Sequence, residues 1–323
     1  MDKADCSACW DRIHGLYSLE EVAMRCLRMA CVMGLILVAG CSRGSGTNAV
    51  AVPAAVQPAA AFDGPTVTAA GGYVGFDRNE YPGDDTMAAM KKKFAFVGYW
   101  LTVPPGAVFN QWVGKRALLR QQGWGFLLLA NGKLEAEIMK AQKASTAPAD
   151  LGRKDAATAV AAAKSEGFPA GAIVFLDQEE GGRLTDVQAA YLLAWTEAVA
   201  TSAYKPGVYA SGQRVQDDPG VMIDTVEDIR ARVKKGSLHQ VAMFDAQDQC
   251  PPSNGCSLQP RPMSEAGEPD LMAWQYSQSP RRPEITQSCA KTYASDGNCY
   301  APGFPKVFLD LDVAKTADPS GGR

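Results

Sequence analysis

Ala172-Ile173-Val174-Phe175-Leu176-Asp177-Gln178-Glu179-Glu180 is an apolar run that ends abruptly in acid. Its first five residues are rich in β-branched and aromatic types, at strand length, and read as a buried parallel strand. Asp177 and Glu179 stand two positions apart, so on a strand they point to one face, about 7 Å apart at two rises of roughly 3.3 Å. Two carboxylates at the end of a buried strand are costly to desolvate, and the charge of one pushes the other towards its protonated form. Glycoside hydrolysis needs that inequality: one acid protonates the leaving oxygen and one anion assists at the sugar. Two other readings fit the same residues. A magnesium-binding strand of a nucleotide hydrolase requires a G-x-x-x-x-G-K-[ST] phosphate loop, and the chain has none. Alternatively, either acid caps the start of the following helix.

The chain has 323 residues, a net charge of -3 and 2 His. That length holds one large α/β domain or two ordinary ones. Without a basic stripe, nucleic acid is not an expected partner. With His14 in the leader and His239 before an apolar strand, histidine-based nucleophilic catalysis or a histidine-rich metal site has almost no material. No metal and no cofactor is expected.

The first 40 residues read as a leader. Met24-Arg25-Cys26-Leu27-Arg28 is a short positive region before the apolar stretch Met29 to Ala39, too short to span a bilayer permanently. It ends in Leu37-Val38-Ala39-Gly40-Cys41, which resembles the lipobox of bacterial lipoproteins, where the cysteine is lipidated and becomes the new amino terminus. The residues before Met24 read as an upstream or misassigned start. Ser42 lacks the aspartate of inner-membrane retention, so outer-membrane sorting is favoured where a cell has that membrane. Residues 41–71, mostly Ala, Pro, Gly, Ser and Val, cannot bury a core and read as a tether with a reach of roughly 30 Å. Of 9 Cys, four lie in the leader and Cys41 carries the lipid, leaving Cys250, Cys256, Cys289 and Cys299. Their spacings exceed the C-x₂₋₄-C of zinc sites, so disulfides are expected in an exported protein. Short loops favour Cys250–Cys256 and Cys289–Cys299 among the three possible pairings.

From residue 73 short apolar runs alternate with helical stretches. The strands read as Tyr73–Asp77, Phe94–Trp100, Gly125–Ala130, the acidic strand, Pro206–Ser211, Gln240–Asp245, Leu271–Tyr276 and Val307–Asp312. Helices are predicted over Arg153–Glu166 and Asp186–Ser202, and the segments 245–271 and 277–305, which carry the four cysteines, read as loops. Eight strands over about 240 residues match a (β/α)₈ barrel covering 72–315, with a disordered tail at 316–323. An open doubly wound sheet is the alternative, but no G-x-G-x-x-G turn follows the first strand. In a barrel, Asp77, Asp177, Glu179, Asp245, Asp310 and Asp312 all fall at strand carboxyl ends, where barrel enzymes build their sites. Tyr99, Tyr209, Trp274 and Tyr276 add aromatic faces on which pyranose rings stack.

Gly75-Phe76-Asp77, Phe175-Leu176-Asp177-Gln178-Glu179, Gly207-Val208-Tyr209, Trp274-Gln275-Tyr276 and Leu309-Asp310-Leu311-Asp312 resemble, in order, the glycoside hydrolase family 25 muramidases. They are more similar still to the glycoside-hydrolase-like domains grouped as domain of unknown function 1906. The resemblance implies Glu179 as general acid with Asp177 as its partner, and Asp77 and Asp310 lining the site. It also implies peptidoglycan, or a related cell-wall glycan, as substrate. An N-acetyl group beside the reacting carbon raises substrate assistance, with Asp177 orienting the acetamido group. Asp312 stands where the muramidases commonly carry Asn, and the loop after Tyr276 is longer than theirs. The expectation is a monomeric, lipid-anchored glycosidase facing periplasm or cell wall. Its rival is a catalytically idle barrel that binds glycan.

Overall fold

The computed structural model describes residues 72–323; the leader, Cys41 and the tether of residues 41–71 lie outside the described residues. Eight strands close a barrel: β1 (Tyr73–Asp77), β2 (Phe96–Trp100), β3 (Gly125–Asn131), β4 (Ile173–Gln178), β5 (Lys205–Ser211), β6 (Ala242–Ala246), β7 (Ala273–Ser277) and β8 (Asp310–Ala314). Neighbours are parallel from β1 through β7, as the expected barrel requires. The last strand breaks the rule. β8 runs antiparallel to both β1 and β7, setting Asp310 opposite Asp77 and Asp312 opposite Gly75. Asp310 and Asp312 are therefore near the amino end of their strand, not its carboxyl end. Reversal of the strand still delivers them to the face where Asp77 ends β1. The run expected as one strand, Val307–Asp312, divides: Phe304–Phe308 forms a hairpin with Tyr300–Ala301, and the barrel strand starts at Asp310.

Helices cover the barrel from β1 to β6. They are α1 (Asp84–Met90), α2 (Arg116–Gln121), α3 (Glu135–Lys143), α4 (Pro148–Ser165), α5 (Asp186–Ala200) and α6 (Thr225–Gly236). α4 begins five residues before the expected Arg153, because Pro148 has its ring where a first-turn N–H needs no partner. Its buried face, Gly152, Ala156, Ala159 and Ala163, recurs at helical spacing. Small residues there let the backbones close up, for a Cβ at Gly152 would lie 2.2 Å from the Tyr191 carbonyl oxygen. α5 starts where Thr185 and Gln188 cap each other's backbone amides.

After β6 the helical cover gives way to two long connections, which were legible as loops. Their cross-links differ from the local pairing favoured by loop length. Cys250 bonds Cys289 and Cys256 bonds Cys299, each pair with Cα atoms 5.3 Å apart. Both bridges join one connection to the other over the outer face of β7, so spatial adjacency of the loops overrides nearness in sequence.

The expected disordered tail is ordered. Ser320 takes the Phe126 carbonyl with its amide, offers its own carbonyl to the Ile173 amide, and accepts the Leu128 amide on Oγ at 2.8 Å. Asp318 accepts from the Phe126 amide and Arg323 donates to the Trp124 and Gly123 carbonyls. β3 and β4 pair only from Leu128 opposite Val174 upward, and the tail satisfies the amides left below that point. Ser320→Ala strands the buried Leu128 amide and is expected to cost about 1–3 kcal/mol, measured by urea unfolding. An unchanged midpoint would mean that the tail is not seated there.

Candidate active site

One side chain from each of the eight strands lines a recess at the barrel mouth: Asp77, Trp100, Leu129, Asp177, Tyr209, Phe244, Gln275 and Asp310. Glu179, Asn79 and Gln278 complete it from the loops, around a volume of about 110 Å³. Asp77 fits because residue 98 is glycine; a Cβ there would lie 2.4 Å from the Asp77 Cβ. Gly132 likewise lets β3's exit approach the Asp177 carbonyl oxygen, 2.1 Å from where a Cβ would sit.

The acids lie close enough to share protons. Asp177 is buried, and its carboxyl is close enough to Glu179, a residue exposed at the mouth, for the two to share a proton. Burial drives the Asp177 carboxyl well above its ordinary value, with the charges of Glu179 and Asp77 adding to it. Burial also raises Glu179, and the bond from Asp177 opposes the rise. Asp77 is lifted by burial from 3.8 to about 7, against the Gln275 side-chain amide and helped by the Glu179 charge. Burial raises Asp310, reinforced by Asp77, and the Ser279 amide donates to it at 2.5 Å. Asp312 is fully buried beneath Asp77 and is pushed up by burial and that neighbour's charge.

A hydrogen-bond chain sets the polar wall. The Gln278 side-chain amide donates to the Tyr209 hydroxyl at 3.2 Å, the hydroxyl to Gln275 Oε1 at 2.9 Å, and Gln275 Nε2 to Asp77 at 2.8 Å. Among the described residues no ion pair involves any of the five acids. With no ion pair to hold them as carboxylates, burial favours their protonated forms.

Residues 110–282 match the family described as Rv2525c-like, glycoside hydrolase-like domain. The chain belongs to this family. The match runs from before β3 to beyond β7, so it includes Asp177 and Glu179 and leaves Asp77 and Asp310 outside it. An uncharacterized B. stearothermophilus protein with a 1.07 Å crystal structure is similar over 75% of this chain and 96% of its own, at 19% identity and a TM-score of 0.46. The Mycobacterium tuberculosis Tat-secreted protein Rv2525c, in complex with L-tartrate, is similar over 78% of this chain and all of its own, at 11% identity and a TM-score of 0.44. No curated protein matches the chain.

In this glycoside hydrolase-like barrel, Asp77, Asp177, Glu179, Asp310 and Tyr209 meet at one recess, with Asp312 directly below. Tyr99, Asp245, Trp274 and Tyr276 do not reach it. Tyr99 points outward, its hydroxyl donating to the Trp112 carbonyl and to Glu166. Trp274 and Tyr276 do share a face, but the outer one, where they bond the Gln247 and Ser257 carbonyls under the cystine loops. Asp245 is buried on the outer side near Glu268 and Asp224, in space left by Gly212. Each has an inward neighbour that takes its expected place: Trp100, Phe244 and Gln275. Gln275 had a sequence signal, a lone amide at the period of two between outward aromatics; Asn79 and Gln278 had none. Glu180 turns away to cap α3 at the Glu135 amide and to accept from Gln188.

Proposed function

We propose that this chain is an exported, lipid-anchored glycosidase acting on an N-acetylated cell-wall glycan, with Glu179 as general acid. The observation that carries the reading is the close pairing of a buried Asp177 carboxyl with Glu179, a residue exposed at the mouth, in a recess whose lining holds no cation. Carboxyls that act from opposite sides of a sugar stand roughly 5–5.5 Å or 6.5–9.5 Å apart. Hydrogen-bonded carboxyls stand closer than either, so Asp177 is badly placed to attack the anomeric carbon itself. Substrate assistance suits the pair better. As the glycosidic oxygen approaches Glu179, the shared proton passes to it and the bond to the anomeric carbon breaks. The acetamido oxygen of the same sugar closes onto that carbon. Asp177, left as carboxylate, accepts the acetamido N–H and balances the positive charge of the cyclic intermediate. Water then opens the ring, returning its proton through Glu179.

In this reading a lipid on Cys41 tethers the domain beside the wall, and the cystines support an oxidising compartment. The test is incubation of the purified chain with peptidoglycan and with chito-oligosaccharides at pH 5, counting new reducing ends. Release from either supports the reading. No release from any N-acetylated glycan, with saccharide still bound, leaves the idle glycan-binding barrel in its place.

A further inference from the structure

The acid recess, at about 110 Å³, falls below the ~300–1,000 Å³ that enclosed small-molecule sites occupy. A second recess of about 260 Å³ adjoins it, and Asn79 and Asp310 line both. This second space is chemically unlike the first. Its wall holds Arg78, the only cation among the described residues lining either recess. The Arg78 side chain is 6% exposed, whereas its ion-pair partner Glu80, 3.2 Å away, is 69% exposed. Arg78 Nε has no hydrogen-bond partner among the described residues. The guanidinium lies 5.2 Å from the centroid of the Phe308 ring, which is itself 40% exposed.

A buried guanidinium is costly unless its donors are used, and it grips carboxylates best with two parallel bonds. Here the ring holds the guanidinium in place, Asp310 acts on it from farther off, and the acid paired with it hangs in solvent and forfeits little by leaving. Glu80 therefore stands in for a carboxylate that comes from outside. We infer that Arg78, with Phe308 behind it, forms an adjoining subsite for a sugar residue that bears a carboxylate, which displaces Glu80. The inference rests on the glycan reading of the acid recess. A glycan spanning both recesses places a neutral N-acetylated ring at the acids and an acidic ring beyond Asp310. A lactyl ether on an amino sugar and a uronate both present such a carboxylate.

Isothermal titration of the full chain carrying Glu179→Gln, which slows turnover, separates these cases. The probes are chitotetraose, an alternating N-acetylglucosamine–N-acetylmuramic acid tetrasaccharide and a uronate-containing tetrasaccharide. One of the acidic probes is expected to bind about tenfold more tightly than the neutral one, and the tighter of the two identifies the source of the carboxylate. Arg78→Gln is expected to erase that preference. Glu80→Gln, a change at an exposed side chain, is expected to strengthen acidic binding about threefold and leave neutral binding unchanged. Equal binding of neutral and acidic probes, unmoved by Glu80→Gln, overturns the inference and leaves the glycan site standing. If none of the three binds, the glycan reading itself fails and the subsite goes with it.

Discussion

Glu179→Gln is expected to slow hydrolysis of a natural glycan by about a hundred- to ten-thousandfold, the usual worth of a positioned general acid. The amide keeps the shape and still accepts the bond from Asp177, but has no proton to give. The loss should fall on kcat, with KM little changed, because the acid acts as the glycosidic bond breaks. Its size should also depend on the leaving group. An N-acetylglucosaminide of an acidic phenol departs without protonation, so the variant should retain most of the wild-type rate on that substrate. Asp177→Asn should slow both substrates, since the acetamido group has lost its carboxylate in each. Equal losses by Glu179→Gln on both substrates would assign Glu179 a structural role.

Stability is expected to fall as pH rises, the reverse of ordinary acid denaturation. Asp77 is lifted from 3.8 to about 7 in the fold, so between those values the folded chain holds a proton that the unfolded chain releases. The stabilisation is whole below about 3.8 and is lost as pH climbs through about 7; for this one group it is on the order of 4 kcal/mol. Asp177, Asp310, Asp312 and Asp245 are raised by burial and act in the same sense. Asp84, Asp217 and Asp296 are lowered and oppose them, but these are surface groups whose interactions water screens. The buried set wins. Melting should come about 10 °C lower at pH 8 than at pH 4.5, given roughly 2–4 °C per kcal/mol for a domain of this size. Asp77→Asn, neutral at every pH, should melt higher than wild type at pH 8 and flatten the dependence. A melting temperature that rises towards pH 8 would contradict the shared-proton cluster.

The eight strands were legible because each is a short apolar run bounded by polar residues. The acids were legible because Asp77, Asp177 and Glu179 interrupt such runs where the strands leave the core. Parity was the harder problem. β2, β6 and β7 are buried on both faces, inside by the barrel and outside by helices or cystine loops, so hydropathy does not mark which alternate residue points inward. Tyr99, Asp245 and Trp274 were each one residue away from the side chain that lines the recess. The reversal of β8 left no mark in its own residues, since a strand reads the same in either direction. It follows from the hairpin at Tyr300–Phe308, which feeds the chain back to the mouth. Cystine pairing depended on two long loops lying side by side, a contact distant in sequence. The order of the tail leaves no mark in composition, because Asp318, Ser320 and Arg323 act by hydrogen bonds to backbone groups at the foot of β3 and β4.

The whole mechanism depends on protons held at the barrel mouth near neutral pH. Selective carbon-13 labelling of aspartate and glutamate carboxyls, with resonances assigned by Asp77→Asn and Asp177→Asn, reads those protons directly by NMR between pH 3 and 9. The expected result is that Asp77 titrates near 7, that Asp177 stays protonated beyond the ordinary carboxylate range, and that each substitution shifts the titration of the remaining acids. Independent titration of all the mouth acids near 4 would contradict it, because Glu179 would then have no proton to deliver.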